Sequence, residues 1–174
     1  EMKYLHKRRQ DLGGYQPIRF EDCKSLKAPD IENFSDFTDG IDRSISTTLA
    51  LVRMMSKMLR DKEIGPYLVP IIPDEARTFG MDGLFSQAGI YSPSGQQYEP
   101  VDAGTISPYK EAKDGQILQE GICEAGALAS FMAAGTAYSH SELPMIPIYI
   151  FYSIFGMQRI GDMVWACGDA MTKG

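Results

Sequence analysis

Apolar residues recur every three or four positions between residues 45 and 59, with basic residues between them. The apolar members are Ile45, Leu49, Val52, Met55 and Leu59. This period predicts an amphipathic helix of about four turns that packs its apolar face on a core. Asp42 or Ser44 would cap its start, because a short polar side chain can accept a free backbone N–H there.

Three short apolar runs predict buried strands at residues 67–72, 116–119 and 145–151. The first run contains Pro70, which has no backbone N–H, so we expect it at an edge or an end of the strand. Helical spacing resumes from Met157 to Cys167 and predicts a further helix.

The segment 119–138 begins with two acids and then becomes almost entirely small or apolar. Gly121 predicts a turn, and a helix starts near Cys123 that carries no charge from Ala125 to Ser139. Its many alanines and glycines predict a helix buried nearly all round. Glu124, at the start of this helix, is either a surface acid stabilised by the helix dipole or a buried acid with a catalytic or binding role. The pattern leaves both alternatives open.

Strand, buried helix, strand and helix in this order predict an α/β fold, a three-layer, mostly parallel sheet flanked by helices. Asp74, Glu75 and Arg77 follow the first strand, where such folds bind ligands. A salt-bridged loop, with Arg77 paired to either acid, is an equal alternative. Residues 1–35 are predicted to be a linker or extended arm, 36–174 the domain, and 91–115 a loop that can include a hairpin.

Composition narrows the possible functions. A net charge of −6 argues against nucleic-acid binding. The basic cluster at Lys3, Lys7, Arg8 and Arg9 is either a solvated linker or a basic arm. Three widely spaced cysteines without a C-x-x-C pair favour free thiols in the cytoplasm. The longest charge-free run, residues 143–158, is too short for a membrane helix, and no signal peptide is apparent.

Several catalytic motifs are absent from the sequence, including the phosphate-binding loop, the dinucleotide fingerprint and the serine hydrolase elbow. The two histidines, His6 and His140, lie outside metal-ligand spacing and are predicted to be surface residues. The remaining candidates for a functional site are carboxylates at strand ends, with aromatic residues nearby.

Four strings closely resemble the homodimeric bacterial pyruvate dehydrogenase E1 component. They are residues 74–81 (DEARTFGM), 89–93 (GIYSP), 117–122 (ILQEGI) and 155–162 (FGMQRIGD), and residues 4–9 and 45–48 match as well. The resemblance covers nearly the whole chain. It implies a central piece of a longer, cytoplasmic, homodimeric protein, with a linker followed by the aminopyrimidine-binding domain of the transketolase-like thiamin diphosphate fold, incomplete at both ends.

The resemblance also implies roles for individual residues. Glu124, in Gly121-Ile122-Cys123-Glu124, would hydrogen-bond N1′ of the aminopyrimidine of thiamin diphosphate, with a pKa raised by its apolar surroundings. Glu120 competes for this role, and the motif position favours Glu124. Phe155 would pack on the ring, Tyr152 would line the site, and Glu75 would be a further active-site acid.

The implied reaction is oxidative decarboxylation of pyruvate, with acetyl transfer to the lipoyl group of the dihydrolipoyl acetyltransferase E2. The family binds Mg²⁺ and the diphosphate through a G-D-G…N motif, whereas Gly161-Asp162 is followed here by Met163. We therefore expect the Mg²⁺ ligands in another domain, no metal site here, and weak or no cofactor binding and no activity by this chain alone. The alternatives are another 2-oxo acid dehydrogenase, a transketolase-like enzyme or a catalytically silent dimerisation module.

Overall fold

The computed structural model describes residues 1–14, 23–38, 40, 44–74 and 76–174, without the side chains of Ser153 and Phe155. Six α-helices lie in this part of the chain, at Met2–Asp11 (α1), Thr47–Met58 (α2), Asp82–Ala88 (α3), Glu124–Ser141 (α4), Ser153–Gln158 (α5) and Gly161–Asp169 (α6). The strands are Leu68–Ile72 (β1), Ile90–Tyr91 (β2), Glu111–Ala112 (β3), Leu118–Gln119 (β4) and Ile146–Tyr149 (β5). Ile31–Phe37 and Gly65–Tyr67 form 3₁₀ turns.

A parallel sheet of three strands in the order β4-β1-β5 forms the centre of the domain. Ile71 of β1 lies opposite Leu118 on one side and Tyr149 on the other. Because all three strands run the same way, their carboxyl ends meet at one edge of the sheet. The predicted α/β class, a mostly parallel sheet flanked by helices, is confirmed.

Pro70 lies inside the central strand, so the expectation that it would mark an edge or an end is wrong. The carbonyl of Ile72 accepts a hydrogen bond from the N–H of Glu120, which follows β4. The carbonyl of Ile71 accepts one from the N–H of Ile150, which follows β5. Since neighbouring residues of a strand alternate in direction, Pro70 faces the β4 side. The ladder with β4 begins only at Ile71, so the N–H that Pro70 lacks is not needed there.

Helices cover both faces of the sheet and make the three layers. On one face, α2 and α3 contribute Val52, Met55 and Phe85 to a core that includes Ile72 and Ile117, all of them buried. On the other face, Leu128 of α4 packs with Ile160 and Cys167, together with the partly buried Phe131, Met132, Tyr149 and Met163. The predicted strands and the helix after residue 123 therefore enclose two apolar clusters with the sheet between them.

α4 is buried all round only in its second half. Residues 134–139 are buried, whereas Ala125, Ala129 and Ala133 are exposed, so the expectation of nearly complete burial is wrong for the first half. Gly135 explains why the second half needs small residues. A Cβ there would lie 2.5 Å from the carbonyl oxygen of Lys173, whose N–H donates to the Gly135 carbonyl.

Local elements differ from expectation in four further places. Residues 2–11 form an exposed helix rather than an irregular arm, because they contain no glycine, proline or β-branched residue. Ser46 caps α2 by accepting the Leu49 N–H, and Ser44 does not, while Asp42 lies outside the described residues. β2 and β3 pair in parallel and form no hairpin. The last predicted helix is divided into α5 and α6.

Candidate functional site

The carboxyl ends of the three parallel strands bring polar side chains from three segments to one edge of the sheet. Asp74 follows β1, Gln119 ends β4, and Tyr152 follows β5. Gln119 Nε2 donates to Asp74 Oδ1 at 3.4 Å, which links the ends of two neighbouring strands. The start of α4, with Glu124, lies next to this edge because only a short turn separates it from β4.

Glu124 is the first residue of α4 and is largely shielded from solvent, since 12% of its side chain is exposed. Arg159, in the turn between α5 and α6, donates from Nη1 to Glu124 Oε1 at 2.5 Å. The guanidinium itself is more than half exposed. One carboxylate oxygen is therefore held from the solvent side by a charged donor.

The pKa of Glu124 lies below its usual range, opposite to the raised value expected from the sequence. The largest cause is a hydrogen bond from its own backbone N–H, which is one of the free donors at a helix start. Burial acts in the other direction, and the hydrogen bond and charge of Arg159 lower the pKa further. Donors around the carboxylate thus outweigh its apolar surroundings and keep it ionised.

Glu120 has a separate environment from Glu124. It is exposed and accepts a hydrogen bond from the hydroxyl of Ser130, the seventh residue of α4. Cys123 lies between the two acids and caps α4, with its Sγ accepting the Gly126 N–H at 3.4 Å. The two acids therefore point to different partners, and Glu124 is the more shielded of the two.

Tyr152 lies beside the segment that follows β1. Its hydroxyl donates to Thr78 Oγ1, and its ring centroid lies 4.6 Å from that of Phe79. Just over a third of the residue is exposed, so it lines the surface of this edge. Glu75 and the side chain of Phe155, the other two predicted site residues, lie outside the described part of the structure.

Tyr149, at the end of β5, has a buried hydroxyl without a hydrogen-bond partner among the described residues. Its ring stacks on Phe151, with centroids 5.3 Å apart and planes at 19°, and Phe131 of α4 lies on another side. Burial raises the pKa of Tyr149 to about 12, and the negative charge of Glu124 adds to this shift.

Arg77 binds Asp102, an acid that the sequence did not suggest as its partner, while Glu75 lies outside the described residues. Its Nη2 donates to the Asp102 carboxylate and to the Ser107 carbonyl, the latter at 3.0 Å. Asp102 also accepts the N–H of Tyr109, at 3.1 and 3.2 Å to its two oxygens. These contacts attach the loop 101–109 to the segment that carries residues 74–80.

The described residues contain no group of three or more histidine, cysteine, aspartate or glutamate side chains that could hold a metal ion. His6 and His140 are exposed, as predicted, and His140 Nδ1 lies 2.8 Å from the Ser141 hydroxyl. Among the helices described, none is long and apolar enough to cross a membrane. All three cysteines are free.

Sequence reasoning missed Arg159, Tyr149, Gln119 and Thr78 as members of this region. Arg159 reaches Glu124 across 35 positions of the chain, and no local pattern connects the two. Tyr149 was assigned only to a buried strand, and its hydroxyl at a strand end was the available signal. The carboxyl edge of the sheet therefore carries aromatic rings and polar groups, with the shielded acid Glu124 at the start of the helix that follows β4. Groups of these kinds can bind the edge of a polar heteroaromatic ring.

Comparison with known families gives a match over residues 26–174 to the model described as the pyruvate dehydrogenase E1 component middle domain. Curated relatives named pyruvate dehydrogenase E1 component are 56% identical in Pseudomonas aeruginosa, 54% in Escherichia coli K12 and 50% in Corynebacterium glutamicum. Each alignment covers 100% of this chain, which spans only 19 to 20% of the length of those relatives.

Proposed function

Because the chain belongs to the family of the pyruvate dehydrogenase E1 component middle domain, we propose that the protein containing it is the E1 component of a pyruvate dehydrogenase complex. The proposed reaction is the thiamin diphosphate-dependent oxidative decarboxylation of pyruvate, with acetyl transfer to the lipoyl group of an E2 acyltransferase. Identity of about half over the whole chain supports this activity. We further propose that the protein is a homodimer and that it is cytoplasmic. The free cysteines suit a reducing compartment such as the cytoplasm.

The shielded carboxylate of Glu124 is the observation that carries the proposal at the level of residues. When bound, thiamin diphosphate supplies a nucleophilic carbon, and its positively charged thiazolium ring takes up the electron pair that remains when carbon dioxide leaves. Glu124 would hydrogen-bond N1′ of the aminopyrimidine ring and share one proton with it. Since Arg159 holds Oε1, we assign Oε2 to the ring.

The residues present fit such a ring. Phe79 and Tyr152 provide aromatic surfaces at this edge of the sheet, and Glu124 provides a shielded carboxylate at the start of the helix that follows β4. The buried hydroxyl of Tyr149 and the buried Oε1 of Gln119 are polar atoms without a partner among the described residues, as expected where a polar group binds. Following the resemblance, we propose that Tyr152 lines the site.

The remaining roles rest on the resemblance alone. We propose that Phe155 packs on the aminopyrimidine and that Glu75 is a second active-site acid. We also propose that Mg²⁺ and the diphosphate bind in another domain, since the sequence after Gly161-Asp162 departs from the family motif for them. The site would then be complete only when that domain meets this one.

The test is Glu124→Gln in the full-length protein, with Glu120→Gln as the matched control. Pyruvate-dependent reduction of an artificial electron acceptor measures turnover without E2, and fluorescence titration measures the dissociation constant of thiamin diphosphate. We expect turnover to fall about 100-fold or more for Glu124→Gln, because the amide cannot exchange a proton with N1′. Glu120→Gln should stay close to wild type. Turnover of Glu124→Gln at the wild-type rate would overturn the assignment.

Substrate choice is tested separately on the unmodified protein. The proposal predicts a higher kcat/KM for pyruvate than for longer 2-oxo acids. A preference for a longer acid would assign the protein to another 2-oxo acid dehydrogenase, and an absence of turnover with every 2-oxo acid would favour the silent dimerisation module.

A further inference from the structure

Gln119 is a half-buried amide that uses only one of its two ends. Its Nε2 donates to Asp74 Oδ1 at 3.4 Å, whereas its Oε1 is buried and has no hydrogen-bond partner among the described residues. The amide of Gln87 uses both ends, because its Oε1 accepts the Ser56 hydroxyl at 2.8 Å and its Nε2 donates to the Ser56 carbonyl at 2.9 Å. A buried acceptor without a partner costs stability, so packing alone does not account for an amide at position 119.

The contact between Gln119 and Asp74 joins two strand ends. Gln119 is the last residue of β4 and lies opposite Ile72, the last residue of β1. Asp74 follows shortly after Ile72, and the Gln119 amide reaches it at the carboxyl edge of the sheet. The Glu120 N–H donates to the Ile72 carbonyl at 3.2 Å, so the backbone register is fixed next to this contact. The two side chains therefore extend the pairing of β1 and β4 beyond the last paired residues.

Each of these strand ends leads to an acid of the proposed site. Glu75 directly follows Asp74 in the sequence, and the turn after Gln119 leads to Glu124 at the start of α4. We propose that Gln119 is a positioning residue for the reaction, because its hydrogen bond to Asp74 sets the spacing between the two segments that carry these acids. This inference rests on the proposed function and on the roles proposed for Glu75 and Glu124.

The segment after β1 is also attached at other points. Thr78 Oγ1 accepts a hydrogen bond from the hydroxyl of Tyr152, and Arg77 donates to the Ser107 carbonyl at 3.0 Å. Those contacts attach the segment to the chain after β5 and to a neighbouring loop, while Gln119 attaches its start to β4. Loss of the Gln119 amide therefore frees the end of the segment that contacts β4 and leaves the other contacts in place.

The test is Gln119→Met in the full-length protein, because methionine keeps the length of the side chain and removes both polar atoms of the amide. Pyruvate-dependent reduction of an artificial electron acceptor, at saturating thiamin diphosphate, gives kcat and KM. We expect kcat to fall about tenfold or more, because a small displacement of a catalytic acid strongly slows proton transfer. The thermal midpoint should stay near that of wild type, because the unpartnered Oε1 is lost together with the hydrogen bond.

Gln116→Met is the matched control, because it changes the same kind of side chain just before β4. The Nε2 of Gln116 donates to the carbonyls of Gly65 and Leu68, at 2.8 and 3.3 Å, near the opposite end of β1. Its loss should lower the thermal midpoint and leave kcat unchanged. Equal losses of kcat in the two variants would show that Gln119 acts only through the fold in general, which would overturn the proposal.

A comparison in an Asp74→Ala background shows whether Gln119 acts through Asp74. In that background, Gln119→Met should have no further effect on kcat. An equal effect in both backgrounds would overturn the proposal. So would a wild-type kcat for Gln119→Met beside a reduced kcat for Glu124→Gln, an outcome that leaves the proposed function standing. If Glu124→Gln itself keeps the wild-type turnover, the proposed function fails, and this inference fails with it.

If Gln119→Met does not fold, Gln119→Glu replaces it. The new carboxyl group cannot donate to Asp74 while it is ionised, and it can donate once it is protonated. The kcat of Gln119→Glu relative to wild type should therefore rise as the pH is lowered from 8.5 to 5.5. A ratio that stays the same across this range would contradict the proposal.

Discussion

Arg159 donates to Oε1 of Glu124 at 2.5 Å and so ties the turn between α5 and α6 to the first residue of α4. The pair joins two segments that follow different strands of the sheet. The Glu124 side chain is largely shielded, whereas the Arg159 side chain is more than half exposed. The ion pair therefore fixes the carboxylate while the guanidinium stays in contact with water.

The first prediction concerns the pH dependence of stability. A carboxyl group with a lowered folded pKa stabilises the fold above its unfolded pKa, and this contribution is lost as the pH falls through the folded value. Since Arg159 is one cause of the lowered pKa of Glu124, Arg159→Met should lower the thermal midpoint at neutral pH. The difference from wild type should vanish in acid, once Glu124 is protonated in both proteins.

Thermal unfolding of the full-length protein between pH 3 and 8 checks this. Arg159→Lys retains the charge and is expected to keep most of the pH dependence. A difference between Arg159→Met and wild type that is the same at pH 3 and pH 7 would show that packing, and not the ion pair, is responsible.

The second prediction concerns the close packing of α4. Gly135→Ala places a Cβ against the Lys173 backbone, which cannot move aside as a flexible side chain would. We expect a loss of about 1–3 kcal/mol in the free energy of unfolding, measured by denaturant titration. Gly168→Ala in α6 is the control, because nothing lies within 4 Å of its new Cβ, and it should be neutral or slightly stabilising.

The third prediction concerns the loop that Asp102 anchors. Asp102→Ala removes the acceptor for both Arg77 and the Tyr109 N–H and leaves that N–H without its partner. Amide hydrogen exchange in residues 101–109 should become faster, with a local cost of about 1–3 kcal/mol. Arg77→Met removes one charge and leaves the Tyr109 bond in place, so its effect should be smaller. Equal effects would show that the ion pair alone holds the loop.

The fourth prediction concerns the contact between Tyr152 and Thr78, which joins the segment after β5 to the segment after β1. Tyr152→Phe and Thr78→Val should each cost about 0.5–1.5 kcal/mol. The double variant should cost less than the sum, because both changes remove the same hydrogen bond. Strict additivity in denaturant titrations would contradict a direct bond between them.

Short-range patterns were enough for most of the secondary structure. The period of apolar residues located α2, and the runs around Leu68 and Ile146 located β1 and β5. The turn at Gly121 predicted a helix start near Cys123, and Cys123 is the N-cap of α4. These predictions succeeded because the signals depend on neighbours a few positions away.

Pairing of distant segments could not be predicted in the same way. Pro70 was expected at an edge or an end because it has no N–H to donate to a neighbouring strand. The sequence does not show that the pairing with β4 begins only at Ile71, after Pro70. The short helix α3 and the division between α5 and α6 also escaped the pattern, since a few turns of helix carry little periodic signal.

The sequence alone determined that this is an α/β chain with an acid at the start of a long uncharged helix. Four of its sequence strings also indicated the protein family. The tertiary structure decided what surrounds Glu124. Arg159 reaches it from 35 positions away in the chain, and the backbone N–H of Glu124, together with the hydrogen bond and charge of Arg159, lowers the pKa of the carboxyl group. A pKa depends on every group around the carboxylate in space, so apolar neighbours in sequence pointed to a raised value while the folded chain lowers it.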